Sequence, residues 1–302
     1  MTFTIKILGA GSATPLKGRH HSAQLVSLNE HKYLIDCGEG TQYRLIEEKM
    51  NINKIEVIFI SHLHGDHYYG LVGLISTMSL LGRKNSIQVF GPAGLNDIIT
   101  LNFKISNTVL AFDLFIHELT VTDEQKIYED NYAVFYSFPL NHGIQSFGYL
   151  AEEKPGLLKL VKERISDLSV EEMVMLKNGK NVSDVHGNIK FDVKTYTYPP
   201  EPVRKYAYCS DTIYEESILP YIQHVDLLYH EATYLEEHKE KAIRNNHATA
   251  MEAALIAKKA NVKKLMIGHL SSRYEDYESH LSEAKSVFFN TIPAIEGKTI
   301  TI

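Results

Sequence analysis

The chain has 302 residues, 44% of them hydrophobic, which supplies apolar sequence for a large core and is ordinary for a globular protein. A formal net charge of −6 argues against a broadly basic nucleic-acid binder, because neutralising phosphate takes Lys and Arg, although a local basic patch remains open. Two cysteines, Cys37 and Cys209, exclude a disulfide framework, and no run approaches the ~18 apolar residues of a membrane span.

The first residues, MTFTIKILGAG, open directly as a strand, predicted at Phe3–Leu8. They carry neither the basic segment nor the long apolar run of a secretory leader, so the chain is expected in the cytoplasm. Strands are predicted next at Ala23–Leu28 and Lys32–Asp36, a helix at Thr41–Lys49, and a strand at Val57–Ile60. Helical periodicity follows at Leu71–Leu81 and Leu95–Leu101, on either side of a strand at Ile87–Phe90. After strands at Ala133–Phe138 and Phe147–Ala151 the pattern weakens from about Glu152 to Glu201, punctuated by Lys154-Pro155-Gly156, Asn178-Gly179 and Pro199-Pro200. This stretch reads as an arm-like insertion at about 152–201, too short to bury a sizeable core of its own, with a helix predicted at Leu157–Arg164. Beyond it come strands at Tyr206–Cys209, Leu227–Tyr229, Leu265–Ile267 and Thr299–Ile302, and helices at Thr249–Ala260 and Tyr277–Phe289. The first of these helices opens on a capping box, T-x-x-E from Thr249 to Glu252. Helices interleaved among many short strands predict an α/β protein with two sheets and helices outside them, a single domain over 1–302 plus the arm. Cys37 and Cys209 lie in apolar runs and are expected as buried free thiols.

The fifteen histidines are the compositional outlier. Ser61-His62-Leu63-His64-Gly65-Asp66-His67 follows the apolar run VIFI directly, so it lies where a strand ends and a loop begins. His62 and His64 can project together from extended backbone, and Gly65 permits a sharp turn before Asp66 and His67. Three imidazoles and a carboxylate so close together form a ligand set suited to Zn²⁺. Three further candidates stand at strand ends: His142 after AVFYSFPLN, Asp211 after KYAYCS and His269 after KLMIG. That repeated placement brings them to one rim of a layered sheet.

The pattern His62-x-His64-x-Asp66-His67 with the later His142, Asp211 and His269 resembles the metallo-β-lactamase superfamily. Other segments resemble the ribonuclease Z family: LGAGSATP, LIDCGEGTQ (Leu34–Gln42), SHLHGDHYYGL, GPAG (Gly91–Gly94), NHGIQSFGY, SDT, HEAT (His230–Thr233), HAT (His247–Thr249) and GHLSSRY. The likeness covers nearly the whole chain in the same order. It implies an αββα sandwich of the metallo-β-lactamase type, two mixed sheets with helices on the outer faces. It also implies a homodimer, two Zn²⁺ per chain and precursor tRNA as substrate. Cleavage would fall at the 3′ side of the acceptor stem, leaving a 3′-hydroxyl on the tRNA and a 5′-phosphate on the trailer.

The resemblance assigns His62, His64 and His142 to one zinc and Asp66, His67 and His269 to the other, with Asp211 bridging. Asp66 would also accept the attacking water's proton. His247 would protonate the leaving oxygen, oriented by Glu231, and Arg273 would clamp a phosphate with Ser271 beside it. Asp36 is expected to bond a ligand histidine. Thr41 and Gln42 fit either the site's edge or a helix start. His20 and His21, in LKGRHHS, are candidate substrate contacts, whereas His31, His117, His186, His224, His238 and His280 are expected at the surface. The chain departs from the family pattern at Ser210, where glycine is usual, at Ala248, where serine is common, and in an arm without a Gly-Pro-rich stretch. The enzymatic rival is a hydrolase of small phosphodiesters, lactones or sulfate esters. A binding module that has lost catalysis fits less well, because it need not keep His247 and Glu231.

Overall fold

The computed structural model describes residues 2–120 and 122–302. Strands β1 to β9 are Phe3–Gly9, Ala23–Leu28, His31–Ile35, Ile55–Phe59, Ile87–Pro92, Leu114–Leu119, Gln125–Glu129, Ala133–Leu140 and Ser146–Glu153. Four short strands, β10 to β13, follow at Lys159–Leu160, Val182–Ser183, Ile189–Phe191 and Thr197–Tyr198. Strands β14 to β18 are Lys205–Cys209, Leu227–Glu231, Leu265–Gly268, Thr291–Pro293 and Thr299–Thr301. One seven-stranded sheet has the order β18-β1-β2-β3-β4-β5-β6 and the other β17-β16-β15-β14-β9-β8-β7. Both are mixed: β3 to β6 pair in parallel while β1 and β2 are antiparallel, and β14 to β17 are parallel while β9 runs against β14.

The period-two alternation of the strands builds three layers of core. Phe3, Ile5, Ile7, Tyr33, Val57 and Phe59 face Phe135, Tyr149, Tyr206, Tyr208, Tyr229 and Met266 between the sheets. The residues that alternate with them turn outward under helices. Leu25, Leu34, Ile58 and Val89 pack on Leu71, Leu74, Ile75, Leu95 and Ile99. Ala207, Leu228, Leu265 and Ile267 pack on Ala250, Ala253, Ala254 and Ala257, whose small side chains let helix Ala250–Lys259 lie close to its sheet. The result is helix, sheet, sheet, helix, and each large side chain buried in it contributes roughly 1.5–3 kcal/mol. Among the described residues no helix is long and apolar enough to cross a membrane.

Residues 153–203 form a second compact unit. It has an apolar cluster of its own, Leu160, Leu168, Leu176, Val182 and Phe191. The helix predicted at Leu157–Arg164 is not there. Lys159–Leu160 is a strand paired with Thr197–Tyr198, followed by a 3₁₀ segment at Lys162–Asp167. The α-helix of this unit is Val170–Lys177, nucleated by a capping box in which Ser169 Oγ accepts from the Glu172 amide at 3.2 Å and Glu172 Oε2 from the Ser169 amide at 2.7 Å. That S-x-x-E signature is legible in the sequence and is stronger evidence than spacing alone.

His280, expected at the surface, is fully buried. Helical spacing turns it inward with Ala284, and its ring stands edge-on to Tyr274 at a centroid distance of 4.5 Å. Both cysteines are buried and free.

Candidate metal centre

The site is assembled where strands end. Asp36 closes β3 and His269 closes β16, and both hold left-handed backbone, at φ of 58° and 60°. Side chains other than glycine occupy that region at a cost, which the surrounding contacts must offset. Here the Asp36 amide donates to Phe59 O at 2.8 Å and the His269 amide to Ala10 O at 2.8 Å. After β4, His62 and His64 extend into a short helix, Gly65–Tyr68. A Cβ at Gly65 would lie 2.2 Å from Cε2 of the exposed Tyr69 ring, which would have to swing aside.

Two clusters of donor atoms result. In one, His64 Nδ1 lies 3.1 Å from His62 Nε2 and 3.2 Å from His142 Nε2, with Asp211 Oδ2 3.7 Å from His62 Nε2. In the other, His67 Nε2 and His269 Nε2 are 3.3 Å apart. Asp66 Oδ2 is 3.3 and 3.2 Å from them, and Asp211 Oδ1 3.4 and 3.3 Å. Asp211 thus offers one oxygen to each group. Within each group the ligand atoms all lie within 4.8 Å of one another.

The opposite ring nitrogens decide which atoms are lone pairs. His67 Nδ1 donates to Asp36 Oδ2 at 2.8 Å and His142 Nδ1 to the Asn246 carbonyl at 2.8 Å. Ser61 Oγ donates to Asp36 Oδ2 at 2.9 Å, which leaves it to accept from His62 Nδ1 at 3.0 Å. With Nδ1 bonded on the far side, the Nε2 atoms of His62, His67 and His142 point into the clusters. Burial first, and the neighbouring His67 next, keep the His62 imidazole well below its ordinary value and hence neutral. Asp66 and Asp211 stay below the ordinary carboxylate range, because adjacent histidines, His67 for Asp66 and His269 first for Asp211, outweigh the opposing effect of burial. Imidazole with carboxylate, gathered this closely, is the donor chemistry of divalent transition metals. The two clusters form a metal-binding site.

Beside it stands His247, whose Nδ1 is 2.8 Å from Glu231 Oε1. Burial disfavours charge on this imidazole, but Glu231 and then Asp211 outweigh it and raise the pKa to about 9. Glu231, Asp66 and Asp211 are almost wholly buried, as is Asp36. Glu231 accepts four hydrogen bonds: Oε1 from the Thr212 amide and His247, Oε2 from the Thr233 amide at 3.1 Å and the Thr233 hydroxyl at 2.6 Å. So saturated, it orients His247 and is a poor ligand, although Glu231, His247 and His269 are close enough to form a third group.

The clusters open into a cleft of about 550 Å³ whose wall includes Ser12, Thr14, Tyr234, Ser271 and Arg273. Arg273 Nε donates to Ser271 Oγ at 3.2 Å, and the guanidinium lies 5.4 Å from the Tyr234 ring centroid. All seven predicted ligands, with His247, Glu231, Ser271 and Arg273, thus gather in one place. His20 does not line this cleft. Its Nδ1 is 2.6 Å from Glu296 Oε2, and with His21 it borders a separate hollow. Thr41 Oγ1 donates to Gly38 O at the start of its helix, and Gln42 Oε1 accepts from Thr77 in the helix Leu71–Leu80. Sequence reasoning passed over Ser61, Thr233 and Asn246, which hold the rings of His62, His269 and His142. Their only signal is adjacency to the motifs.

The family profile that matches is described as Anti-Pycsar protein Apyc1 and covers residues 3–146. Ribonuclease Z of Cytophaga hutchinsonii is 48% identical over 100% of this chain and 97% of its own. The structure of human tRNase Z, short form, superposes with a TM-score of 0.72 at 27% identity, covering 98% of each chain. That of the metallo-β-lactamase fold protein YhfI from Bacillus subtilis does so with a TM-score of 0.70 at 16% identity, covering 100% of each, and shows the fold alone.

Proposed function

The chain belongs to the ribonuclease Z family of metallo-β-lactamase-fold hydrolases, and from that premise we infer that it is a zinc-dependent endoribonuclease of precursor tRNA. It cuts at the 3′ side of the acceptor stem, leaving a 3′-hydroxyl on the tRNA and a 5′-phosphate on the trailer. The observation that carries this reading is the His247–Glu231 pair, 2.8 Å apart, beside two donor sets that share Asp211. A metal-dependent phosphodiesterase combines a place for metal with a group able to protonate a poor leaving oxygen.

His62, His64 and His142 would hold one zinc ion and Asp66, His67 and His269 the other, with Asp211 contributing to both. When bound, such a pair supplies Lewis acidity at the scissile phosphate and lowers the pKa of water. The Asp66 carboxylate accepts a proton from the attacking water as its oxygen bonds to phosphorus. The bond from phosphorus to the 3′-oxygen breaks, and His247 Nε2 gives that oxygen its proton while Glu231 holds Nδ1. Arg273 and Ser271 bind a phosphate on the cleft wall. The enzyme works as a homodimer in the cytoplasm, and the arm, residues 153–203, contributes to gripping tRNA. Incubating the zinc-loaded protein with a 3′-extended precursor tRNA and sequencing both product ends tests this. Products with a 5′-hydroxyl on the trailer, or no cleavage, reject it.

A further inference from the structure

One hydroxyl touches both halves of this machinery. Thr233 Oγ1 lies 2.6 Å from Glu231 Oε2 and 2.9 Å from His269 Nδ1. It is 3% exposed, so no water competes for these bonds. A hydroxyl has one proton to give. Glu231 is an ionised carboxylate that already accepts from two amides and His247, so it takes that proton. His269 Nδ1 must then be the donor to Thr233 Oγ1. This fixes the His269 tautomer with its Nε2 lone pair toward His67, Asp66 and Asp211. The chain of donors runs in one sense, from the His269 ring through Thr233 to Glu231, while Glu231's other oxygen holds His247.

We propose that the Thr233 hydroxyl is a positioning residue that joins the Asp66–His67–His269 metal set to the Glu231–His247 pair, orienting a ligand ring and the acid's carboxylate at once. This rests on the reading of His269 as a ligand and His247 as the leaving-group acid. Other ligand rings are held by groups that serve one ring or the scaffold: His142 by the Asn246 carbonyl, His67 by Asp36. Thr233 alone among these contacts is shared with the proton donor's partner.

The test compares wild type with Thr233→Val, which keeps the shape and loses the hydroxyl, and Thr233→Ser, which keeps the hydroxyl. Metal-stripped proteins are titrated with zinc against a chelating indicator. Thr233→Val is expected to bind its second equivalent about 10–100-fold more weakly, the usual effect of losing a ligand's outer partner, while Thr233→Ser stays within about 3-fold of wild type. Nitrogen-15 histidine spectra should show the His269 Nδ1–H in wild type and Thr233→Ser. At zinc levels that refill both equivalents, the Thr233→Val loss on precursor tRNA should appear in kcat rather than KM. It should exceed the loss on an aryl phosphodiester, whose phenolate leaves without a proton, by at least ~10-fold. Wild-type zinc affinity in Thr233→Val, or a Thr233→Ser as impaired as Thr233→Val, overturns the inference alone. A wild type that takes up only one equivalent, or a His247→Ala protein cleaving tRNA at full rate, overturns the functional reading and the inference with it.

Discussion

The Tyr208 hydroxyl donates to Asp36 Oδ2 at 2.7 Å, so a side chain from one sheet meets the strand end of the other directly behind the His67 ring. The same oxygen accepts from His67 Nδ1 at 2.8 Å, and Asp36 Oδ1 accepts from the Ser61 amide at 2.7 Å. All four residues are buried. The packing of the sandwich and the aim of His67 therefore depend on one carboxylate. Tyr208→Phe is expected to destabilise the protein by about 1.5–3 kcal/mol, the range for a hydrogen bond to a charged group. Asp36→Asn should instead weaken metal binding about 10–100-fold. Urea unfolding and zinc titration of each variant separate the two effects, and a Tyr208→Phe protein as stable as wild type contradicts the first.

Two donor sets predict two metal equivalents. Dialysed protein should carry close to two zinc ions per chain by elemental analysis. Asp66→Ala should abolish turnover with the far-ultraviolet circular dichroism unchanged. Full activity at a single equivalent would rule out the paired arrangement.

His247→Ala should slow precursor tRNA cleavage by roughly 10²–10⁴-fold without loss of zinc, whereas loss of zinc would mark His247 as a ligand. In metal-stripped protein its imidazole should titrate near 9, chiefly through Glu231. Because the folded value is raised, the pair's contribution to stability is complete below the unfolded value of about 6.5. It is lost as pH rises through about 9. Glu231→Gln should bring the midpoint down, and histidine NMR titration of both proteins measures it.

The arm can be removed cleanly because its flanks already pair: Glu152 stands opposite Lys205 across β9 and β14. Replacing residues 154–202 by a short Gly-Ser linker should weaken precursor tRNA binding and flatten its salt dependence, since fewer counterions are released. Hydrolysis of a small aryl phosphodiester should change little. Removing only Gly156–Asn181 would cut through the cluster of Leu160, Leu168 and Leu176 with Val182 and Phe191, so the whole unit must go. Equal affinity and salt slope with and without the unit would leave it no part in gripping tRNA.

The strands that carry ligands were legible because each is a short apolar run ending in a polar residue, and burial enforces that pattern. Strands Leu114–Leu119 and Gln125–Glu129 were not. They lie at sheet edges, much of their surface is exposed, and Phe115 and His117 are open to solvent although they share the face turned to the other sheet. The residues of the two donor sets and the His247–Glu231 pair were readable from their motifs. Thr233, Ser61 and Asn246 were not, because their roles depend on hydrogen bonds, one of them accepted by a main-chain carbonyl, that reach residues between 1 and 104 positions away. The arm misled through helical spacing at Leu157–Arg164, where a two-residue strand pairing intervened.

Asp211 gives one oxygen to each donor set. A carboxylate turned to satisfy one ion is thereby turned for the other, so filling either place prepares its neighbour. Linkage makes this reciprocal, and couplings of this kind run to about 1–3 kcal/mol. Metal uptake should accordingly be steeper than at two independent places, with fewer singly loaded molecules at half-saturation. Under scarcity the loaded population would then be enriched in complete enzyme, and total activity would exceed what the average occupancy alone implies.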